Sequence, residues 1–150
     1  MAESTIWDGV ELLVCDLDGV VYLGDHGIAG SGDALARIAA GGIGLVFVTN
    51  NSTKTPHEVA AKIAATSGYP ADPADVVTSA EVTAARVAGK ADSALVVGGA
   101  AIDAALAAVG VAVTTDWTRA DAVVVGLDRD LTYDRLAEAT LALRNGAAFY

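Results

Sequence analysis

The tightest constraint on this chain is the run Leu12-Leu13-Val14-Cys15, which feeds straight into Asp16-Leu17-Asp18-Gly19. A short apolar run, too short for a helix and rich in strand formers, reads as a buried parallel strand. Open α/β sheets bind ligands at the carboxyl edge, where such a strand delivers its last residues. On a regular strand Asp16 and Asp18 share one face. Gly19 comes next, where the chain must turn tightly. An ordinary Asp-Gly turn closing a strand gives the same local pattern, so the pair takes its meaning from the rest of the chain.

A second apolar run, Ile43 to Thr49, again ends in polar groups, Thr49-Asn50-Asn51-Ser52. Between the two runs, Val20 to Asp25 reads as a short extended flap, and Ser31 as the opening residue of a helix over 32–40. Thr55-Pro56-His57-Glu58 is a helix start with Thr as cap, Pro at the first position and Glu three residues after the cap. That helix runs to about Ser67. Val76-Val77-Thr78 is a third short strand, and Thr78 with Glu81 has capping-box spacing for a helix to about Ala88. The polar stretch Gly89-Lys90-Ala91-Asp92 reads as a linker, after which the pattern restarts. Strands are expected over 93–97, 111–113 and 122–126, with helices over 100–109 and 133–144, the latter capped by Thr132. Ala147 to Tyr150 reads as the beginning of a strand. Alternation of this kind means mostly parallel sheets with helical crossovers, here in two α/β units.

Length and charge narrow the functional classes. One hundred and fifty residues suit one ordinary domain, or a small one with part of another. Nine basic against nineteen acidic residues leave a formal charge of −10, which argues against a nucleic-acid partner. An anionic substrate would need a local cation. With 53% hydrophobic but only 5% aromatic residues, the core must be built from small aliphatic side chains. The one cysteine, Cys15, has no partner for an internal disulfide, which fits a reducing cytoplasm and a packing role on the first strand. Residues 1–9 show no basic stretch followed by an apolar one, and no apolar run approaches the ~20 residues of a membrane span.

The strand ends at Asp16 and Thr49 lie about one βαβ unit apart, and a right-handed crossover sets them side by side at one sheet edge. Together they offer two carboxylates and a hydroxyl near backbone amides, a set suited to phosphoryl transfer. One carboxylate can attack phosphorus while the other protonates the leaving oxygen and later activates water. The hydroxyl and amides can hold phosphate oxygens as charge redistributes. Two carboxylates facing a phosphate repel it, so the chemistry calls for Mg²⁺, which favours one or two carboxylates, waters and substrate phosphate.

Asp16-Leu17-Asp18-Gly19-Val20 resembles the first motif of the haloacid dehalogenase superfamily, and Thr49 its second. The longer stretches 18–24, Val48-Thr49-Asn50-Asn51-Ser52, 76–80 and 123–128 are similar to the NagD-type branch, which includes nitrophenyl and phosphoglycolate phosphatases. The resemblance implies a Rossmann-like, doubly wound parallel core with an inserted α/β cap, residues 1–89 being core and 90–150 cap, both incomplete. It implies Asp16 as nucleophile forming an aspartyl-phosphate and Asp18 as general acid/base. The Asp16 carboxylate and the Asp18 carbonyl would bind Mg²⁺, and Thr49 with the Asn50 amide would hold phosphate. The family's lysine and distal acidic pair are expected beyond residue 150, and Lys54, Lys62 and Lys90 do not correspond to that lysine. The chain thus resembles the front part of a cytoplasmic phosphatase of small phosphorylated metabolites. It is expected to be silent by itself, without nucleic-acid or membrane partners, and with self-association through the cap left open.

Other features carry less. Val97-Gly98-Gly99-Ala100-Ala101 comes after a strand and opens a helix but lacks the G-x-G-x-x-G of a dinucleotide site. His26 and His57 have no Cys or His at ligand spacing. Asp128 and Arg129 read either as a solvated loop or as groups facing substrate, and Trp117 either packs or lines a cleft. Two rival functions remain at this level: a phospho-acceptor signalling module, also a doubly wound sheet with acidic strand ends, and a non-catalytic interaction module.

Overall fold

The computed structural model describes residues 6–150; residues 1–5, part of the segment read for a targeting signal, lie outside the described residues. The chain divides into two compact units, Met1–Thr49 with Pro56–Val77, and Asn50–Thr55 with Thr78–Tyr150.

The first unit is a three-stranded sheet with two helices. Strand β1 (Leu12–Asp16) is succeeded by a hairpin of β2 (Tyr22–Leu23) and β3 (His26–Gly27), then helix α1 (Ser31–Ala40). Strand β4 (Gly44–Thr49), helix α2 (Pro56–Ser67) and strand β5 (Val76–Thr78) come next. The sheet order is β1-β4-β5, with β1 and β4 parallel and Asp16 opposite Val48. Because the order advances in one direction, right-handed crossovers put α1 and α2 on the same face. Leu35 of α1 and Val59, Ala60 and Ile63 of α2 accordingly pack into one core with Cys15, Leu17, Leu45, Phe47 and Val76. The other face stays open: Leu12 is 54% and Val14 59% exposed, although apolar parallel strands are expected to be covered on both faces.

Ser31 opens α1 as expected, one residue earlier than the range read from the sequence. The N-cap position falls on Gly30 at φ +82°, and no side chain caps the helix. The Ser31 hydroxyl donates to the Val21 carbonyl at 3.0 Å, tying the flap to the helix start.

The second unit holds helix α3 (Ser79–Val87), strand β6 (Ser93–Val97), helix α4 (Ala100–Ala108) and strand β7 (Ala112–Val113). Strand β8 (Ala122–Val125), helix α5 (Tyr133–Arg144) and strand β9 (Ala148–Phe149) complete it. Its four-stranded parallel sheet runs β7-β6-β8-β9. The order runs one way from β6 to β7 and the other way from β8 to β9, so the crossover helices fall on opposite faces. Ile102 and Leu106 of α4, with Ala80, Ala84 and Val87 of α3, pack on Ala94, Val96 and Val124. Ala139 and Ala142 of α5 pack on Leu95, Val97 and Val123, and Trp117 joins that cluster, which answers the packing alternative for it.

The two units part at Val77/Thr78, ahead of the polar stretch at Gly89. The reason lies in α3, whose apolar face is buried against the second sheet's core and whose start is fixed by a capping box at Thr78. Single turns of 3-10 helix at Pro73–Asp75 and Trp117–Arg119 add to the elements expected from the sequence. Asp72 and Asp116 accept the amide N–H groups two residues ahead and close each turn.

Candidate active site

Asp16 is the last residue of β1, and Asp18 stands two residues on with Leu17, 0% exposed, between them. The alternation of the strand therefore continues one step past its end: Leu17 anchors in the core, and both carboxylates stand exposed. The next turn is wound about the Leu17 carbonyl, which accepts from the amides of Val20, Val21 and Tyr22 at 3.2, 2.9 and 3.3 Å. Gly19, at φ +83°, donates to the Tyr22 carbonyl at 2.7 Å. A side chain at that φ is strained, so the glycine is what lets the chain reverse immediately after the second aspartate.

The turn's bonds run to the Leu17 and Tyr22 carbonyls and leave the Asp18 carbonyl out. The donors here are thus oxygens alone, two carboxylates and one carbonyl. That hard-oxygen set fits Mg²⁺, which keeps several waters and takes one or two carboxylates. Among the described residues no group of three or more His, Cys, Asp or Glu gathers as a metal cluster.

The register Asp16↔Val48 makes Thr49 the first β4 residue beyond the partner of Asp16. Thr49 is 7% exposed, so its hydroxyl is held at the strand end rather than free in solvent. Asn50 comes next, exposed, with its carbonyl accepting from the Ser79 hydroxyl at 2.9 Å. The Asn51 side chain accepts from the Thr53 amide at 2.8 Å and its hydroxyl at 2.7 Å, an Asx turn that bends the segment after Thr49.

One neighbour of the carboxylates, and the lysine that packs on it, are not legible in the sequence. Tyr22 is 3% exposed, and its phenol is pushed up to about 12, first by burial, then by the charges of Asp18 and Asp16. The Lys62 ammonium lies 4.1 Å from the centre of that ring and 3.7 Å from Asp25. In the sequence Lys62 figures only as a lysine that does not match the family's; a tyrosine in a flap and a lysine mid-helix carry no signal that they meet. The Cys15 thiol is likewise pushed up, by burial first and Asp16 second, which suits packing rather than a reactive thiol. Gly98, Gly99, Asp128 and Arg129 belong to the second unit, whereas Asp16, Asp18 and Thr49 belong to the first.

With this geometry in view, residues 13–112 match the haloacid dehalogenase-like hydrolases. The chain belongs to that family. It is 41% identical over 136 residues to an acid sugar phosphatase of Staphylococcus aureus, covering 89% of this chain and 52% of that protein. Among solved structures it is similar to NagD from Escherichia coli, with a TM-score of 0.83 and 29% identity over 92% of this chain and 54% of that one. It is similar also to a glycerol phosphate phosphatase from Mycobacterium tuberculosis in complex with magnesium. That match has a TM-score of 0.79 and 38% identity, over 91% of this chain and 41% of the other. The chain spans about half the length of the curated relatives it matches. The expected α/β fold with parallel sheets and the NagD-type likeness both hold. Among the described residues no helix is long and apolar enough to cross a membrane.

Proposed function

We propose that this haloacid dehalogenase-like chain carries the catalytic strand end of a Mg²⁺-dependent phosphatase acting on small phosphorylated metabolites in the cytoplasm. In this reading residues 1–89 belong to its core and residues 90–150 to its cap. The observation that carries the reading is the pair of exposed carboxylates flanking buried Leu17, with the parallel register bringing Thr49 to the same edge.

In this reading an Asp16 oxygen attacks phosphorus, and the bond from phosphorus to the ester oxygen breaks. The leaving oxygen takes a proton from Asp18, and an aspartyl-phosphate remains on Asp16. Asp18, now a carboxylate, takes a proton from water as that water attacks phosphorus. The bond to Asp16 then breaks, releasing inorganic phosphate and restoring both side chains. The Thr49 hydroxyl and the Asn50 amide hold the phosphate oxygens. A Mg²⁺ held by the Asp16 carboxylate and the Asp18 carbonyl would neutralise phosphate charge that two carboxylates otherwise repel. Support for the metal comes from the oxygen donor set and from the magnesium-bound relative. The carboxylates do the covalent and proton-transfer work, which a signalling or interaction module would not require.

The test is turnover of an aryl phosphate by the complete protein. Asp16→Asn should abolish it, and Asp18→Asn should lower it roughly 10²–10⁴-fold, the range of general acid–base help. Near-native turnover in Asp16→Asn would reject the mechanism. Excess chelator should stop activity and added Mg²⁺ restore it.

A further inference from the structure

The second sheet reverses its strand order between β6 and β8, and the crevice outside the carboxyl ends at such a reversal is where open α/β sheets take a ligand. Here that crevice is lined by Gly98 after β6 and Gly126 after β8. What sits against Gly126 is the chain's own segment Asn50–Thr55, which belongs to the second unit. The Ser52 hydroxyl accepts the Leu127 amide at 3.3 Å. A methyl group added at Gly126 would lie 2.6 Å from the Ser52 Oγ, 3.3 Å from its Cβ and 2.5 Å from the end of Ile102. One at Gly98 would meet the same Ile102 atom at 2.5 Å. Gly98 and Gly126 thus sit against side-chain ends, whereas a methyl at Gly99 would meet nothing within 4 Å.

The corner that receives Ser52 is held from behind. The Gly126 amide donates to the Val97 carbonyl at 2.8 Å. The Arg135 guanidinium donates to the Val96 carbonyl at 3.1 and 3.3 Å, and lies 3.6 Å from the Asp128 carboxylate. The other Asp128 oxygen accepts the Asp130 amide at 2.9 Å. The Asp128 side chain is 8% exposed and the Arg135 side chain 43%, so a half-exposed guanidinium stands beside a buried carboxylate at the start of the loop 126–130. The far end of the segment is tied too, by the Ser79 hydroxyl on the Asn50 carbonyl.

We infer that the switch-point crevice of the second unit is a socket for the chain's own loop, with Ser52 the positioning residue. Through it the second unit sets the backbone of Asn50, whose amide holds phosphate in the proposed function, a reading on which this inference rests. In this inference Ser52 acts through the segment it anchors.

The test compares Ser52→Ala, which removes the acceptor at nearly constant bulk, with Gly126→Ala, which keeps the acceptor and pushes it out, and with the double variant, all in the complete protein. Amide hydrogen exchange at Leu127 and over 50–55 is read beside kcat, KM and inhibition by inorganic phosphate. Each single variant should speed exchange there and weaken phosphate inhibition by roughly threefold to tenfold, the span of one hydrogen bond. The double variant should be no worse than the worse single one. Unchanged exchange in both singles, multiplying effects in the double, or lowered thermal stability with native phosphate inhibition would each overturn the inference. A native protein that neither turns over aryl phosphates nor is inhibited by phosphate would remove the phosphatase reading. The exchange rates would then still decide whether Ser52 holds the segment.

Discussion

At the residue scale the turn after β1 carries most of the meaning. Leu17 has to be apolar, because burying it is what turns its two neighbours outward together. A polar residue there would lose the anchor and leave a buried group without a partner. Tyr22 shows how burial first, and the charges of Asp18 and Asp16 after it, hold a phenol in its protonated form. Its phenol holds its proton more tightly in the folded chain than at the ordinary value of 10.0, up to about 12. The folded state therefore binds more protons than the unfolded one between those values. Stability from this group is full below about pH 10 and is lost as pH rises toward about 12. Phenolate absorbance of the metal-free protein should show one of the four tyrosines titrating late. Tyr22→Phe should remove that late step and flatten the alkaline loss of stability; an unchanged titration would contradict the assignment.

At the element scale, backbone proximity and capping decide what each helix can do. Methyl groups at Gly27 and Gly32 would run into the carbonyl oxygens of Thr66 and Ser67 at the end of α2. Neither glycine has a positive φ, so the constraint is space alone. Gly32→Ala would gain helix propensity in α1, yet the collision is with backbone and cannot be relieved by a rotamer. A net loss of about 1–3 kcal/mol is expected from the overpacking, read as a lowered unfolding midpoint. The capping box of α3 gives a separate case. The Thr78 hydroxyl accepts the Glu81 amide at 3.3 Å while the Glu81 carboxylate accepts the Thr78 amide at 3.3 Å. Thr78→Ala should cost about 1 kcal/mol and, because α3 packs in the second unit's core, should speed exchange there more than in β1. Equal protection in wild type and variant would show that packing alone holds the helix start.

At the scale of the whole molecule, the two sheets are finished differently. The second has helices on both faces. The first has them on one, leaving Leu12, Val14 and Val77 exposed on the other, and β1 lies at its edge. An apolar strip beside an unpaired strand edge invites association between copies. Residues 1–150 should therefore self-associate with rising concentration in light scattering. Leu12→Lys with Val14→Thr should suppress this without disturbing the opposite face, where the core lies. A wild-type chain that stays monomeric across the same range would contradict the role given to this strip.

The sequence by itself determined the elements and their order. Leu12–Asp16 and Gly44–Thr49 as strands, Pro56–Ser67 as a helix, the Thr78 and Thr132 caps and the pairing of two strand ends at one edge all rest on local rules. Period, propensity, capping and handedness act within a few residues or one crossover. The same rules, with the family resemblance, mark Asp16, Asp18, Thr49 and Asn50 as the candidate site without knowledge of any contact. Tertiary structure alone decided what depends on residues far apart. It tied the Ser31 hydroxyl to the flap and brought Tyr22 under Lys62. It drew α3 into the second unit and seated Ser52 against Gly126. No local pattern encodes such meetings, because each is settled by which strand order the sheet adopts and which face that order leaves for a side chain to fill.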